Sequence, residues 1–206
     1  PLATGEVSAA EAIGVFVVLS LVAFALVLTL NWQTVALSVV AVVLTAVYPF
    51  MKRVTHVPQL VLGAAFGWAV PMAFTAITGD VPAVAWVLFG ATLIWALIYD
   101  TEYAMVDRED DLKVGIKSTA ILFGRHDRLV IGLLQLLMLG LLLGVGLEAG
   151  RGPLFLAGLA GAAALALYQQ WLIRERERGP CFKAFLNNNY FGMAVFIGLV
   201  SDYALG

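Results

Sequence analysis

Tyr99-Asp100-Thr101-Glu102-Tyr103-Ala104-Met105-Val106-Asp107-Arg108-Glu109-Asp110-Asp111 begins where an apolar run, 83–100, ends. A run of that length and oiliness reads as a membrane-crossing helix. Carboxylates in or beside a bilayer are costly, so a cluster of them there marks a site more often than an ornament. Asp100, Asp107 and Asp111 stand at i, i+7 and i+11, and on a helix all three point to one side. Several carboxylates on one face, next to lipid, are what a divalent cation and a diphosphate-bearing lipid need. The bland alternative is a solvated charged loop in which Arg108 and Lys113 neutralise the acids. Three details weigh against it: the shared face, the start of the run within a helix, and the flanking Tyr99 and Tyr103.

The rest of the chain places this run in a membrane protein. Of 206 residues, 62% are hydrophobic and 13% charged, with a mean hydropathy of +0.94. That composition excludes an ordinary soluble domain. The net charge of −2 gives no sign of a nucleic-acid partner. One cysteine, Cys181, allows no internal disulfide. Residues 1–10 carry no basic segment of the kind that opens a signal peptide. Seven stretches are apolar enough to cross a bilayer: 11–30, 32–50, 58–78, 83–100, 129–147, 153–173 and 188–206. The expectation is an all-α integral membrane bundle forming a single domain over 1–206. Loops 51–57, 101–128 and 174–187 hold eleven of the twelve basic residues, and alternating topology puts them on one side. The positive-inside rule makes that side cytoplasmic, with the N-terminus inside and the C-terminus outside. Gly63/Gly67 and Gly140/Gly144 are GxxxG pairs that let helices approach closely. Pro71 is expected to kink the third span.

The candidate chemistry gathers on the basic side. Asp100, Asp107 and Asp111 suit Mg²⁺, which takes oxygen ligands and is usually held by one or two carboxylates plus substrate phosphate. Tyr48-Pro49-Phe50-Met51-Lys52-Arg53 ends the second span, and Arg53 offers a two-donor fork to a phosphate or carboxylate, or else anchors topology. Gly115-Ile116-Lys117-Ser118-Thr119 supplies flexible backbone, an ammonium and hydroxyls. His56 and His126 are lone histidines, Arg174–Arg178 reads as a salt-bridged helix end, and Cys181 has no histidine nearby. Asn187, Asn188 and Asn189 open the last span, as caps or with one amide facing a polar cavity. A transporter would want ionisable groups at mid-span, which are nearly lacking here, and a non-catalytic scaffold would not need the acidic face.

The wording of these motifs resembles the UbiA family of intramembrane aromatic prenyltransferases. The resemblance rests on Tyr48–Arg53, on Leu62-Gly63-Ala64-Ala65-Phe66-Gly67-Trp68 with Pro71-Met72-Ala73, on Tyr99–Gly124, and on Cys181-Phe182-Lys183-Ala184-Phe185 with the asparagines. It implies a helical bundle around a central cavity, with about seven of nine membrane helices present. It also implies that Asp107 and Asp111, with Asp100, hold Mg²⁺-diphosphate. Lys52, Arg53, Tyr48, Tyr103, Lys117 and Asn188 would contact substrate, and Asp107 and Arg53 would act in catalysis. Pro1-Leu2-Ala3-Thr4-Gly5 matches a segment that in the family follows a first Asp-rich motif. That motif and two helices are therefore expected upstream, and the 206 residues alone are expected to be poorly active. The implied reaction moves a polyprenyl group from its diphosphate to the ring of 4-hydroxybenzoate, in ubiquinone biosynthesis. The implied setting is a bacterial inner membrane, with no obligate protein partner. A naphthoate, a tocopherol precursor or a haem is an alternative acceptor.

Overall fold

The computed structural model of the chain describes residues 1–205, which form nine α-helices and no strand. α1 (Ala9–Val27) starts on a capping box, in which Ser8 and Glu11 each satisfy the other's backbone amide. α2 (Trp32–Val54) follows after a four-residue turn and is capped by Asn31, which accepts from the Thr34 amide at 2.9 Å. The Asn31 amide also donates to the Thr75 carbonyl at 2.7 Å, tying the α1–α2 hairpin to the next span. That span is broken, as Pro71 demands. Proline has no N–H for the Gly67 carbonyl, and the helix divides at Trp68 into α3 (Pro58–Gly67) and α4 (Ala69–Thr78). The Trp68 indole donates to the Leu37 carbonyl of α2 at 2.9 Å, which fixes the break against its neighbour.

α5 (Ala83–Val114) carries the acidic run and corrects the expected loop 101–128. Its 32 residues rise about 48 Å, well beyond the roughly 30 Å hydrocarbon core, so its last turns project from the membrane as helix. It stops at Gly115, whose φ of 71° is the left-handed cap glycine tolerates. α6 (Thr119–Phe123) and a 3₁₀ turn lead into α7 (Asp127–Glu148), α8 (Pro153–Leu172) and α9 (Arg178–Leu205). α5, α7, α8 and α9 enclose the main core, with Ile98, Ile131, Met138, Ala162, Ile173 and Phe191 buried among them. Six segments are long and apolar enough to cross a membrane, which makes this an integral membrane protein. The seventh expected span belongs to α9, a 28-residue helix diluted by polar side chains.

α9 corrects two further expectations. Loop 174–187 shrinks to a turn, because the helix already begins at Arg178. Asn187–Asn189 therefore lie inside the helix and cap nothing. The amides of Asn187 and Asn188 are satisfied sideways: Gln169 donates to Asn187 at 3.1 Å, and Asn188 donates to Glu102 at 2.8 Å. Cys181 is fully buried, not loop-exposed. Among the glycine pairs, Gly63 packs as expected, since a β-carbon there would stand 2.8 Å from the Leu93 carbonyl of α5. Gly140 and Gly144 face open space. The closest backbone-to-backbone approach joins α8 and α9, where a β-carbon on Gly158 would stand 2.6 Å from the Ala194 carbonyl and 2.7 Å from the Gly198 Cα.

Candidate active site

One end of the bundle gathers the projecting part of α5, the C-terminus of α2, the N-terminus of α3 and the 115–126 segment. The i, i+7, i+11 spacing holds on the continuous helix, so Asp100, Asp107 and Asp111 share a face. Asp100 and Asp107 are half-buried and Asp111 is buried. The three act electrostatically on one another, and Lys52 of α2 acts on both Asp100 and Asp111. None of the three is in an ion pair among the described residues. The neighbouring acids follow the bland alternative only in part: Lys113 neutralises one as expected, but Arg108 pairs with Asp127 instead and Arg178 of α9 takes its place. Lys113 and Arg178 pair with Asp110 at 3.0 Å each, and Arg178 reaches Glu109 at 3.2 Å. The cations of this region thus neutralise the outward acids and leave the inward face negative.

Lys52 and Arg53 are separated by this geometry. Consecutive helical residues point about 100° apart, so only one of the two can face α5. Lys52 does, and it is half-buried. Arg53 is exposed, and it makes no side-chain hydrogen bond or ion pair among the described residues. Lys117 donates its backbone amide to the Lys52 carbonyl at 3.1 Å and its ammonium to the Val54 carbonyl at 3.2 Å. It therefore sits on the C-terminus of α2, where a cation complements the helix dipole, with donors left for a ligand. Tyr48, Tyr99 and Asp100 are electrostatic neighbours. Tyr103 packs against Phe185 and Phe182 of α9, with ring centroids 5.0 and 6.3 Å apart. Tyr99 also meets Phe185, at 6.1 Å. An aromatic wall thus runs beside the carboxylate face.

Asn188 does not join this group. Its carbonyl accepts from the Trp95 indole at 2.9 Å and its amide donates to Glu102, so its capacity is used inside the α5–α9 seam. Gln59, not singled out from sequence, and Ser118, read there only within the Gly115–Thr119 motif, do join it. Gln59, second residue of α3, faces Asp100, and Ser118 faces Asp111. The buried Ser118 hydroxyl lies against the Asp111 carboxylate. Gln59 Oε1 is buried without a hydrogen-bond partner, and such an orphan is rare in folded proteins and calls for an occupant. The available signal for Ser118 was its place in the Gly115–Thr119 motif; Gln59 carried none beyond the preceding Pro58.

These residues fit a hard cation with a phosphate ligand. The donors are oxygens, the carboxylates lack guanidinium partners, and the unpartnered Gln59 oxygen stands at the Asp100 end of the face. Among the described residues no three His, Cys, Asp or Glu side chains stand close enough together to hold a metal by themselves, the three aspartates of this face included. A cation here would rest on one or two of the carboxylates together with substrate phosphate and water, as Mg²⁺ usually does. Outside the face, burial and ion pairing serve structure. Arg176 bonds the buried Asp127, which raises its guanidinium further above its ordinary value.

Comparison with known proteins places the chain and its fold. The model of the UbiA prenyltransferase family matches residues 1–196. A protein of Methylococcus capsulatus named 4-hydroxybenzoate octaprenyltransferase is 62% identical over 203 residues, covering 98% of this chain and 70% of the relative. One of the same name from Alkalilimnicola ehrlichii is 62% identical over 206 residues, covering 100% and 70%. Among solved structures, an apo UbiA homolog from Aeropyrum pernix superposes with a TM-score of 0.84 at 24% identity, covering 98% of this chain and 76% of that one. A digeranylgeranylglyceryl phosphate synthase superposes at 0.74 with 19% identity, covering 98% and 72%. The fold, the family match and the close relatives lead to one conclusion: the chain belongs to the UbiA prenyltransferase family.

Proposed function

We propose that this protein transfers a polyprenyl group from its diphosphate to the ring of 4-hydroxybenzoate, with Mg²⁺, at the cytoplasmic face of a bacterial inner membrane, as a step of ubiquinone biosynthesis. The observation that carries the reading is the unpaired carboxylate face of α5, opposed by Lys52, in a chain about 60% identical to relatives named for this reaction. The eleven basic residues at that end support a cytoplasmic orientation.

Asp107 and Asp111, with Asp100 deeper on the same face, would hold the metal; when bound, Mg²⁺ supplies charge neutralisation to the departing diphosphate. Lys52 and Lys117 add ammonium groups at the same mouth, where charge develops as the allylic carbon–oxygen bond breaks. The prenyl tail stays among apolar helices. Tyr48, Tyr99 and Tyr103, backed by Phe182 and Phe185, offer aromatic faces to the allylic cation, and such faces attract positive charge. The apolar bundle also keeps water from trapping that cation. The ring carbon ortho to the phenol hydroxyl attacks, a carbon–carbon bond forms, and the ring proton leaves to solvent. Asp107, half-buried and without a counter-ion, is assigned the phenol proton during attack and returns it to the phenol oxygen as the ring proton leaves, so that one proton is released per transfer.

The test is prenyl transfer itself. Membranes holding the full-length enzyme and no other copy are supplied with radiolabelled 4-hydroxybenzoate, a polyprenyl diphosphate and Mg²⁺. Metal-dependent formation of prenylated 4-hydroxybenzoate is the expected result. No product from 4-hydroxybenzoate, with product from another aromatic acceptor, would move the protein to a different branch of the family.

A further inference from the structure

The far end of the 115–126 segment is fastened by an ion cluster that the proposed chemistry does not use. Asp127, the first residue of α7, is fully buried. Its carboxylate accepts from Arg176 Nε at 2.9 and 3.0 Å, from Arg176 Nη2 at 2.7 Å and from Arg108 Nη1 at 3.4 Å. It also accepts from the Arg128 amide at 2.6 Å. The same two guanidinia reach past it to the backbone, Arg108 to the Gly124 carbonyl at 3.5 Å and Arg176 to the Arg125 carbonyl at 2.9 Å. α5, the start of α7 and the turn before α9 therefore meet on one buried charge. An acid so held loses heavily when a partner is removed, because a buried charge is left unmatched.

What the cluster fastens is a strap. At its near end Ile116 donates to the Asp111 carbonyl at 3.0 Å and Lys117 to the Lys52 carbonyl at 3.1 Å. Thr119 and Thr101 share a hydrogen bond of 2.8 Å. At its far end Gly124 has φ 53° and ψ −122°, a conformation open in practice only to glycine. Lys117 and Ser118 stand at the near end, beside the carboxylate face.

We propose that Asp127 is a positioning residue for prenyl transfer: by gripping Arg108 and Arg176 it holds the strap across the mouth of the site, so that Lys117 and Ser118 meet the diphosphate end of the substrate. This rests on the functional reading given above. Asp127 itself touches no substrate. Its loss should weaken the hold on diphosphate and spare the aromatic acceptor, to which neither Lys117 nor Ser118 is assigned.

The experiment compares wild-type full-length enzyme with D127N in membranes, using inorganic diphosphate as a competitive inhibitor. Absence of product from the wild type would count against the functional reading; the inference is judged on the variants. D127N keeps the side-chain size and removes the charge. The expected result is a Ki for inorganic diphosphate and a KM for prenyl diphosphate raised about tenfold, the scale of losing a group that orients a ligand-binding residue, with the KM for 4-hydroxybenzoate within about twofold. G124A disturbs the same end of the strap through its backbone and leaves every charge of the ion cluster in place, although its methyl would stand 3.8 Å from Arg108 Nη2, and the same split is expected of it. It carries the test if D127N fails to accumulate. An unchanged Ki, or both KM values rising in step as a merely structural defect would make them, would overturn the proposal.

Discussion

Replacing Lys52 by glutamine should damage the enzyme far more than the same change at Arg53, although the two are neighbours and both basic. Lys52 is half-buried and acts on Asp100 and Asp111, whereas Arg53 is exposed and has no side-chain partner among the described residues. At about 6 Å and an effective dielectric of about 20, one charge on another is worth roughly 3 kcal/mol. Partial exposure of the ammonium lets water screen that by about half, to roughly 1.5 kcal/mol. On a diphosphate at the same mouth, that loss corresponds to a KM about tenfold higher. K52Q should therefore raise the KM for prenyl diphosphate about tenfold, and R53Q should stay within about twofold of the wild type, as surface substitutions do. Initial rates of prenyl transfer at saturating 4-hydroxybenzoate provide the assay, with protein amount in the membrane as control. If R53Q loses as much as K52Q, the rotational placement of the two side chains on α2 is wrong. If K52Q is unaffected, the ammonium contributes nothing to holding the diphosphate.

Two further expectations concern the bundle. Gly158→Ala puts a methyl into the closest α8–α9 contact and should cost about 1–3 kcal/mol, the range for overpacking, whereas Gly140→Ala meets open space and should be neutral or slightly stabilising; thermal unfolding in detergent distinguishes them. Glu102 is fully buried, with Oε1 unpartnered and Oε2 bonded to Asn188. Glu102→Gln retains an acceptor for that amide and should be tolerated. Glu102→Leu leaves one N–H of the Asn188 amide unpaired, the other still bonding the Ala184 carbonyl, and should cost about 1–3 kcal/mol in the same assay.

Much of this was legible in the linear order of residues. Apolar runs of bilayer length locate the spans, Asn31 locates the first hairpin, and Pro71 locates the break, because each acts through local covalent or solvation physics. The carboxylate face was legible because i, i+7, i+11 spacing survives on any continuous helix. Where α5 stops was not, since thirteen polar-rich residues read equally as loop or as projecting helix; Gly115 and the paired outward acids decide it. The choice between Lys52 and Arg53 depends on the rotation of α2 against α5, which one sequence does not encode locally. The run Asn187–Asn189 misled for a related reason. Buried amides look like caps until Gln169, Glu102 and Trp95 appear beside them from distant parts of the chain. Gly158 and Gly198 form no spaced motif within one helix, and only the packing of α8 on α9 pairs them.

The central claim is that Asp107 and Asp111 hold a divalent cation together with the diphosphate. The most direct measurement is the Mg²⁺ dependence of prenyl transfer for wild type, D107N, D111N and the double variant in the full-length enzyme. Both acids lie on the unpaired face, so neither change breaks an ion pair of the fold. Each single variant should lose at least about two orders of magnitude in kcat/KM, the scale of removing one electrostatic stabiliser, with the half-saturating Mg²⁺ concentration shifted upward. Near-normal turnover of the double variant at saturating Mg²⁺ would contradict the assignment of the metal to this face.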